Sequence, residues 1–398
     1  MSIYKRKDNN TWRLVISYKK LDGSEGRLSK DFKTKREAVA YDPILRSEAK
    51  GTAPKDIIFS AIADDFLKDC ESTRRYSTFV HYRKITKAHL LPFFKDLKIG
   101  LIKRNQVIQW KEQLSNEVSA KTGEKLSFCY LTHCWKVLRL IFKRARIIFG
   151  VDNNVLEQVG GFHRDPNEVT PERKLHFWTI SQFEKFNKAI DDDIKKFRSE
   201  EDTQEVSLEN TKVLLNICFF AGTRRGEANA LKVSDFHDGI HPYLSIRRSI
   251  TEKVGLGRFL ETNPKNSSSI RDVPIPSNLA ALIRRHIKEY LSKEYAYSPS
   301  FFLAGGAYPI SDTTADNIKL KEEQKAGLPH IRIHDLRHSY VSMLIQADVP
   351  ITVIAKLAGH SSPDITYKIY GHLLPQTKNQ AISSIEHLLK STKLSPSK

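Results

Sequence analysis

The first fifty residues carry a short alternation of apolar and polar positions. Every second position from 12 to 18 is apolar: Trp12, Leu14, Ile16 and Tyr18. A period of two is typical of a strand with one buried face, and turn-forming pairs at 9–10 and 22–23 bound it. With weaker partners at 3–7 and 26–32, this pattern predicts a small three-stranded sheet, followed by a helix that Thr34 caps.

From residue 57 to about 150 the apolar spacing becomes helical. Successive stripes recur three and four positions apart: Ile58, Ile62, Phe66; Phe79, Tyr82, Ile85; Val107, Trp110, Leu114; Val137, Leu138, Ile141 and Phe142. Residues 51–56 and 151–174 are rich in Gly, Pro and charge, which predicts linkers on both sides. We therefore expect an all-helical domain between them.

The remaining chain, from 175 to about 389, mixes both patterns. Thr179 and Gln182 form a capping-box start, and an apolar helix precedes Arg224. Two or three strands are predicted between 244 and 275, and the charged stretch 191–205 reads as a surface insertion. The expected fold class is a multidomain α+β protein, whose last domain is mainly helical with a small antiparallel sheet. The predicted domains are 1–52, 57–152 and 174–390, with a tail at 391–398.

The composition of the chain indicates a polyanionic binding partner. The chain has 398 residues, 65 Lys and Arg against 46 Asp and Glu, and a formal net charge of +19. Such a surplus suits a polyanion, because neutralised phosphates release counterions. The alternative is a basic soluble protein with no nucleic-acid role. The four scattered cysteines, the lack of an apolar leader and the lack of a long apolar run predict a reduced, cytoplasmic protein without a membrane span.

Four segments of the third domain contain residues suited to phosphate chemistry. They are residues 221–231, 264–274, 334–339 and 357–372, which contain Gly222-Thr223-Arg224, Lys265, His334-Asp335-Leu336-Arg337, Gly359-His360 and Tyr370-Gly371-His372. The second is interpreted as a polar hairpin tip. Each has a structural alternative: a buried ion pair for Arg224, a solvated loop for Lys265, chance for His-x-x-Arg and core packing for Tyr370. Their joint occurrence in this order favours function.

Together these four segments resemble the signature of the tyrosine recombinases, the integrases of phages and conjugative transposons. The resemblance assigns the six family positions to Arg224, Lys265, His334, Arg337, His360 and Tyr370. It also implies that 1–52 binds arm sites on DNA and that 57–152 binds core sites. Ala221 stands where many relatives have Thr. Arg225 is a neighbouring alternative for Arg224, and Tyr367 is a rival for Tyr370.

The implied chemistry fits these residue types. Charge that builds on a phosphate in the transition state is stabilised by positioned cations, and planar guanidinium groups bind phosphate oxygens in pairs. Arg224 and Arg337 would hold the phosphate, His360 would donate to it, and His334 would act as base or phosphate ligand. Lys265 would protonate the departing 5′ oxygen, while Tyr370 would attack and become joined to the 3′ phosphate.

The resemblance further implies a homotetramer on double-stranded DNA, joining two duplexes through a Holliday junction. It implies neither a cofactor nor a metal, and it leaves a host DNA-bending protein and an excisionase open as further partners. The expected location is the bacterial cytoplasm, at the nucleoid. The apolar stripe at 381–389 would pack on a neighbouring subunit or on its own domain. Two other functions stay open: a type IB topoisomerase, or a non-catalytic DNA-binding regulator on the same scaffold.

Overall fold

The computed structural model describes residues 2–6, 11–19, 25–50, 57–120, 122–151, 153–164, 175–200, 202–253, 258–262 and 267–373. The chain forms two compact units, residues 1–171 and 172–398. Within the described residues, no helix combines the length and the apolar character that crossing a membrane requires.

The first unit opens with the predicted sheet and helix. Their bounds are β1 Ser2–Lys5, β2 Trp12–Lys19, β3 Glu25–Phe32 and α1 Lys35–Lys50. The sheet is antiparallel in the order β1-β2-β3, and Leu14 and Ile16 of β2 are buried against Ala38 and Leu45 of α1. The alternation in β2 thus places one face in a small core, as expected.

The rest of the first unit is helical. It consists of α2 Phe59–Thr73, α3 Tyr76–Ile85, α4 Leu91–Phe94, α5 Arg104–Asn116, α6 Phe128–Phe149 and α7 Val155–Val159. The predicted apolar stripes meet in one core around Trp110, whose indole donates to the His89 carbonyl at 2.9 Å. Ser127 caps α6, accepting from the Tyr130 amide at 3.3 Å. Because α6 is amphipathic, its basic residues stay on the outer face.

The second unit is built mainly of helices. They are α8 Ile180–Ser199, α9 Gln204–Phe220, α10 Arg225–Asn229, α11 Ser277–Glu289, α12 Asp312–Lys325, α13 Asp335–Gln346, α14 Ile351–Ala358 and α15 Pro363–Tyr370. The Thr179 capping box is present. The expectation of a surface insertion at 191–205 is wrong over most of its length. Residues 191–199 continue α8, and its acidic groups pair with neighbouring helices: Asp191 with Lys212 and Asp193 with Lys325, both at 2.5 Å.

The strands of the second unit form two small sheets. Strands β4 Phe236–His237, β5 Tyr243–Ile246 and β8 Arg271–Pro274 form an antiparallel sheet in the order β4-β5-β8, while β6 Ser249–Lys253 pairs with β7 Arg258–Thr262. The interpretation of the segment around Lys265 as a hairpin tip is therefore wrong. Strands β7 and β8 pair with different partners, so the segment joins two sheets. Lys265 itself lies outside the described residues.

Candidate active site

A glycine turn after α9 presents the first arginine. Gly222 has φ +59°, and a Cβ built on it would lie 2.1 Å from the Tyr340 ring. A side chain here is excluded both by the left-handed backbone and by this contact. The turn leaves Arg224 in extended conformation immediately before α10, with its side chain 38% exposed.

Glu227, three residues after Arg224, holds the Arg224 side chain in place. Its carboxylate accepts from Arg224 Nη1 at 2.6 Å and from the Arg224 backbone amide at 3.0 Å. Arg224 Nη2 donates to the Gly359 carbonyl at 3.0 Å, next to His360. Burial alone would raise the pKa of Glu227, but the charges of Arg271 and Arg224 outweigh it and hold the pKa below its ordinary value. The carboxylate is thus ionised and orients the guanidinium.

Arg271, at the start of β8, completes this ionic network. Its Nη2 donates to Glu227 at 3.0 Å and its Nε to the Leu357 carbonyl at 2.7 Å. Gly359 has φ +69°, and a Cβ there would lie 2.7 Å from Arg271 Nη1. The glycine before His360 is therefore required by its backbone and by the close approach of Arg271.

Arg337 lies deeper, in the first turn of α13. It is 3% exposed and its Nη1 donates to the Gly222 carbonyl at 2.8 Å. Its Nη2 is buried and has no hydrogen-bond partner among the described residues. Burial and the nearby charge of Arg224 lower the pKa of Arg337 to about 9, so the group remains a cation at neutral pH. A buried donor without a partner is costly, which points to a ligand with an anionic oxygen.

The Gly-His histidine is held from α15. His360 Nδ1 lies 2.8 Å from the hydroxyl of Thr366, a fully buried residue. Burial, followed by the charges of Arg337 and Arg224, lowers the pKa of His360 to about 4. The ring is therefore neutral at pH 7. If the Thr366 hydroxyl donates to Nδ1, the ring proton sits on Nε2, where it can be offered to a ligand.

Tyr370 ends α15 with its ring 2% exposed. Burial raises the pKa of its phenol above the ordinary value. Its hydroxyl is hydrogen-bonded to His338 Nδ1. The rival Tyr367 is 62% exposed. His334, which the sequence nominates to assist Tyr370, precedes α13 and packs its ring edge-on against His338, with centroids 5.5 Å apart.

The structure brings five of the six predicted site residues into one neighbourhood, as their contacts and mutual charge effects indicate: Arg224, His334, Arg337, His360 and Tyr370. The sixth, Lys265, is not among the described residues. Arg225 instead turns away, to Asp316 at 3.0 Å, which favours Arg224 as the pocket arginine.

Three neighbours were missed by the sequence analysis: Arg271, His338 and Thr366. Arg271 lies in the second segment, six residues after Lys265, and a basic residue at the start of a strand gives no specific signal. His338 lies four residues after His334, on the same helical face, and this spacing could have suggested it. The apposition of Thr366 and His360 depends on the loop between α14 and α15, which spacing does not predict.

This arrangement can bind and polarise an oxyanion. Two arginines provide positive charge at one place, neutral imidazoles can donate or accept protons, and a phenol lies beside them. Within the described part of the chain, no cluster of three or more His, Cys, Asp or Glu has the geometry of a metal site. Phosphoryl chemistry at a phenol nucleophile is the reaction that these groups suit.

Comparisons with known proteins agree with this chemistry. Residues 187–377 match the phage integrase family, and residues 58–115 match the N-terminal SAM-like domain of phage integrases. The ICEBs1 integrase of Bacillus subtilis is 24% identical over 97% of this chain and 99% of its own length. A XerC-like tyrosine recombinase of Caldanaerobacter subterraneus is 29% identical over 79% of each chain.

Solved structures give the same fold. The Tn1549 transposon integrase in complex with a circular intermediate DNA matches with TM-score 0.59 at 16% identity, over 82% of this chain and 99% of that one. A lambda integrase tetramer bound to a Holliday junction matches with TM-score 0.50 at 14% identity, over 91% and 96%. The chain belongs to the phage integrase family of tyrosine recombinases. It is accordingly an enzyme of the site-specific recombinase class, of the kind that mobile elements use.

Proposed function

We propose that this chain cuts and rejoins DNA through attack of Tyr370 on a backbone phosphodiester. The phosphate would lie between the guanidinium groups of Arg224 and Arg337, and cleavage would leave the 3′ phosphate joined to the phenol oxygen. The bond energy is conserved in that ester, so rejoining needs no ATP. Repeated on two duplexes, the reaction would integrate or excise a mobile element.

One observation carries this proposal: the buried Nη2 of Arg337 has no hydrogen-bond partner among the described residues, and it lies in a pocket that also contains the Tyr370 phenol. A desolvated cation with an unused donor is unfavourable in isolation. A phosphate oxygen would supply both the missing acceptor and the missing negative charge. The transition state carries more charge on those oxygens than the ground state, so the same contact would accelerate the reaction.

The other predicted residues take supporting roles in this proposal. His360 would donate from Nε2 to a non-bridging oxygen, with Thr366 fixing the ring. His334 would be a further phosphate ligand at the mouth of the pocket. Lys265 would protonate the departing 5′ oxygen, and its ammonium suits that task because its proton is transferable, unlike that of arginine.

The DNA partner and the domain roles belong to the same proposal. Residues 57–152 would bind the core site. Four exposed cations on one face of α6 would contact its phosphates: Lys136, Arg139, Lys143 and Arg146. Residues 1–52 would bind arm sites, and 174–390 would carry the chemistry. We propose that a tetramer assembles on two duplexes, as its structural relatives suggest. A host bending protein and an excisionase would be accessory partners.

The test is formation of a covalent adduct on nicked duplexes. Such duplexes, tiled across the DNA that flanks the gene for this chain, lose a short fragment upon cleavage and trap the protein. We expect a slowly migrating protein–DNA band on a denaturing gel at a small subset of tiles. Tyr370→Phe should abolish the band because it removes the nucleophilic oxygen, while Tyr367→Phe, at an exposed position, should retain it.

Sequence dependence separates the alternative functions. A type IB topoisomerase would form adducts on most tiles and relax supercoiled plasmid, whereas a non-catalytic regulator would bind tiles without forming any adduct. Adducts that persist in Tyr370→Phe would remove the nucleophile assignment.

A further inference from the structure

The Tyr370 hydroxyl is in contact with a histidine that the six-residue signature does not include. His338 Nδ1, on the second turn of α13, is hydrogen-bonded to that hydroxyl. The two rings lie 5.5 Å apart, centroid to centroid. Because Tyr370 is 2% exposed, bulk water has little access to its phenol, so the first acceptor for its proton is a protein group.

The other ring nitrogen of His338 faces a fixed carboxylate. Nε2 lies 3.8 Å from Asp335 Oδ1, beyond hydrogen-bond length but close enough for electrostatic orientation. Asp335 is itself held by Arg332, which donates Nη2–H to Oδ1 at 2.7 Å and Nε–H to Oδ2 at 3.1 Å. The Asp335 carboxylate favours the tautomer of His338 that carries its proton on Nε2. In that tautomer the lone pair of Nδ1 is directed at the phenol.

His334 is arranged differently. Its ring packs edge-on against His338, at an interplanar angle of 87°, and it is exposed to solvent. No hydrogen bond joins its side chain to Tyr370 within the residues that the structure describes. The histidine in contact with the nucleophile is thus the one four residues later.

The charge state of His338 suits proton acceptance. Burial, followed by the neighbouring histidine, lowers the pKa of His338 to about 4, so the ring is neutral at pH 7 and can take a proton. Titratable and charged groups face it from α13, from the segment before α13, from the loop between α14 and α15, and from α15: Arg332, His334, Asp335, Arg337, His360 and Tyr370. A proton gained during reaction would be stabilised by Asp335.

We propose that His338 is the general base of the cleavage step, accepting the Tyr370 proton on Nδ1 while Asp335 orients its ring. This inference rests on the proposed function. As the phenol oxygen bonds to phosphorus, the P–O5′ bond breaks, the phenolic proton moves to Nδ1, and Lys265 supplies a proton to the 5′ oxygen. In rejoining, a 5′ hydroxyl attacks phosphorus and gives its proton to Lys265. The Tyr370–phosphorus bond then breaks, and His338 returns the proton to the phenol.

The test separates the effect of the proposed general base, His338, from that of the proposed general acid, Lys265. The substrate is the adduct-forming nicked duplex with a 5′-bridging sulfur at the scissile phosphate, since a thiolate departs without being protonated. In His338→Asn the amide can still accept a hydrogen bond from the phenol but cannot take its proton. We expect adduct formation about 100-fold to 10000-fold slower at pH 7, the usual range for loss of a general base. The variant rate should rise about tenfold per pH unit as hydroxide replaces the base, while the wild-type rate stays nearly flat.

His334→Asn is the matched control: loss of a phosphate ligand should lower the rate by a similar factor at every pH, so the profile should stay flat. A His338→Asn rate within about threefold of wild type, or a slow rate with a flat profile, would overturn the proposal, since a merely structural role gives no pH slope. A slope that appears in His334→Asn instead would assign the base to His334.

If His338→Asn fails to fold, His338→Ala with added imidazole replaces it. Rescue that grows with the concentration of neutral imidazole is expected, and a rate unaffected by imidazole would contradict the inference. An adduct that persists in Tyr370→Phe would overturn the proposed function itself, so the two failures are distinguishable.

Discussion

Two buried cations of the second unit have opposite surroundings. Lys319 of α12 is 3% exposed and fully paired: its ammonium donates to Glu323 and to the Ile331 carbonyl, and it lies 4.8 Å from the centre of the Trp178 ring. Arg337 is equally buried, yet it makes one hydrogen bond to a carbonyl and leaves Nη2 without a described partner.

The difference separates a structural charge, Lys319, from a charge that we propose to be functional, Arg337. Near Lys319 the chain supplies the compensating anion. Among the described residues, the charged groups that act most strongly on Arg337 are two further cations, Arg224 and Arg271, and the carboxylate of Glu227. Pairing stabilises the fold around Lys319, whereas we propose that Arg337 is paired by an external anion. An unpaired charge that the fold tolerates is therefore a better marker of the site than burial alone.

The largest expected effect is on Arg337. Arg337→Met keeps much of the volume but removes the charge and the free donor. We expect adduct formation to fall about 1000-fold or more, while the free energy of unfolding stays unchanged or rises, because a buried unpaired charge is removed. Adduct kinetics and urea denaturation measure the two quantities on one preparation. An Arg337→Met variant that loses stability and cleavage in parallel would contradict the distinction between Arg337 and the structural cation Lys319.

Lys319→Met is the matched control. It removes the ammonium from the buried Glu323 carboxylate, which keeps its contact with His330 Nδ1 at 2.5 Å, so we expect a loss of about 3 kcal/mol in unfolding free energy, the low end of the range for breaking a buried pair. Cleavage per folded molecule should be unchanged, since α12 supplies no pocket residue. The decisive measurement is the adduct rate corrected for the folded fraction. A specific rate reduced as strongly as in Arg337→Met would mean that the paired cation is also functional.

Glu227→Gln tests the carboxylate that bridges Arg224 and Arg271. We expect cleavage to fall about 10-fold to 100-fold as Arg224 loses its orientation, with a stability loss of about 1–3 kcal/mol at pH 7. The pKa of Glu227 is lowered in the folded state, so this stability is present above its unfolded pKa. It is lost as pH falls through the folded pKa.

Denaturation of the wild type and of Glu227→Gln across acid pH checks the sign of this pH dependence of stability. The difference between them should shrink toward low pH. A difference that grows as the solution is acidified would contradict the assigned charge state.

The smallest effect is expected on α6. Lys136 and Arg139 are exposed, with no described ion pair, so each contributes through phosphate neutralisation alone. The double change to Gln should reduce the slope of log affinity against log salt by about 2, roughly 0.9 per lost contact, with little change in stability. Binding titrations over a range of salt concentrations measure it. An unchanged slope would place DNA elsewhere on this unit.

Much of the fold follows from the sequence. The alternation in β2, the stripe around Trp110 and the Thr179 cap each predict an element that is present, because their signals are local. Two predictions are wrong. The charge at 191–199 indicates an insertion, although α8 continues there and pairs those charges with other helices. The connection after β7 is interpreted as a hairpin tip, although β7 and β8 pair with different strands. Strand partners and ion pairs depend on residues distant in sequence, which periodicity does not report.

The candidate site also contains residues that the sequence predicts and residues that it does not. Arg224, Arg337 and Tyr370 are nominated by motif, and the geometry brings them together, while their catalytic roles stay predictions. Arg271 and His338 were missed because their importance lies in what they contact, Glu227 and the Tyr370 hydroxyl. The apolar stripe at 381–389 lies outside the described residues and remains a prediction.

The central claim is a phosphodiester bond between DNA and one phenol, and it can be read directly. The trapped adduct is digested with protease and nuclease, and the peptide that retains a nucleotide is sequenced by mass spectrometry. The account predicts a 3′-phosphate ester on Tyr370, within the peptide that follows His360. A nucleotide on Tyr367 or on any other residue, or a 5′-phosphate linkage, would contradict it.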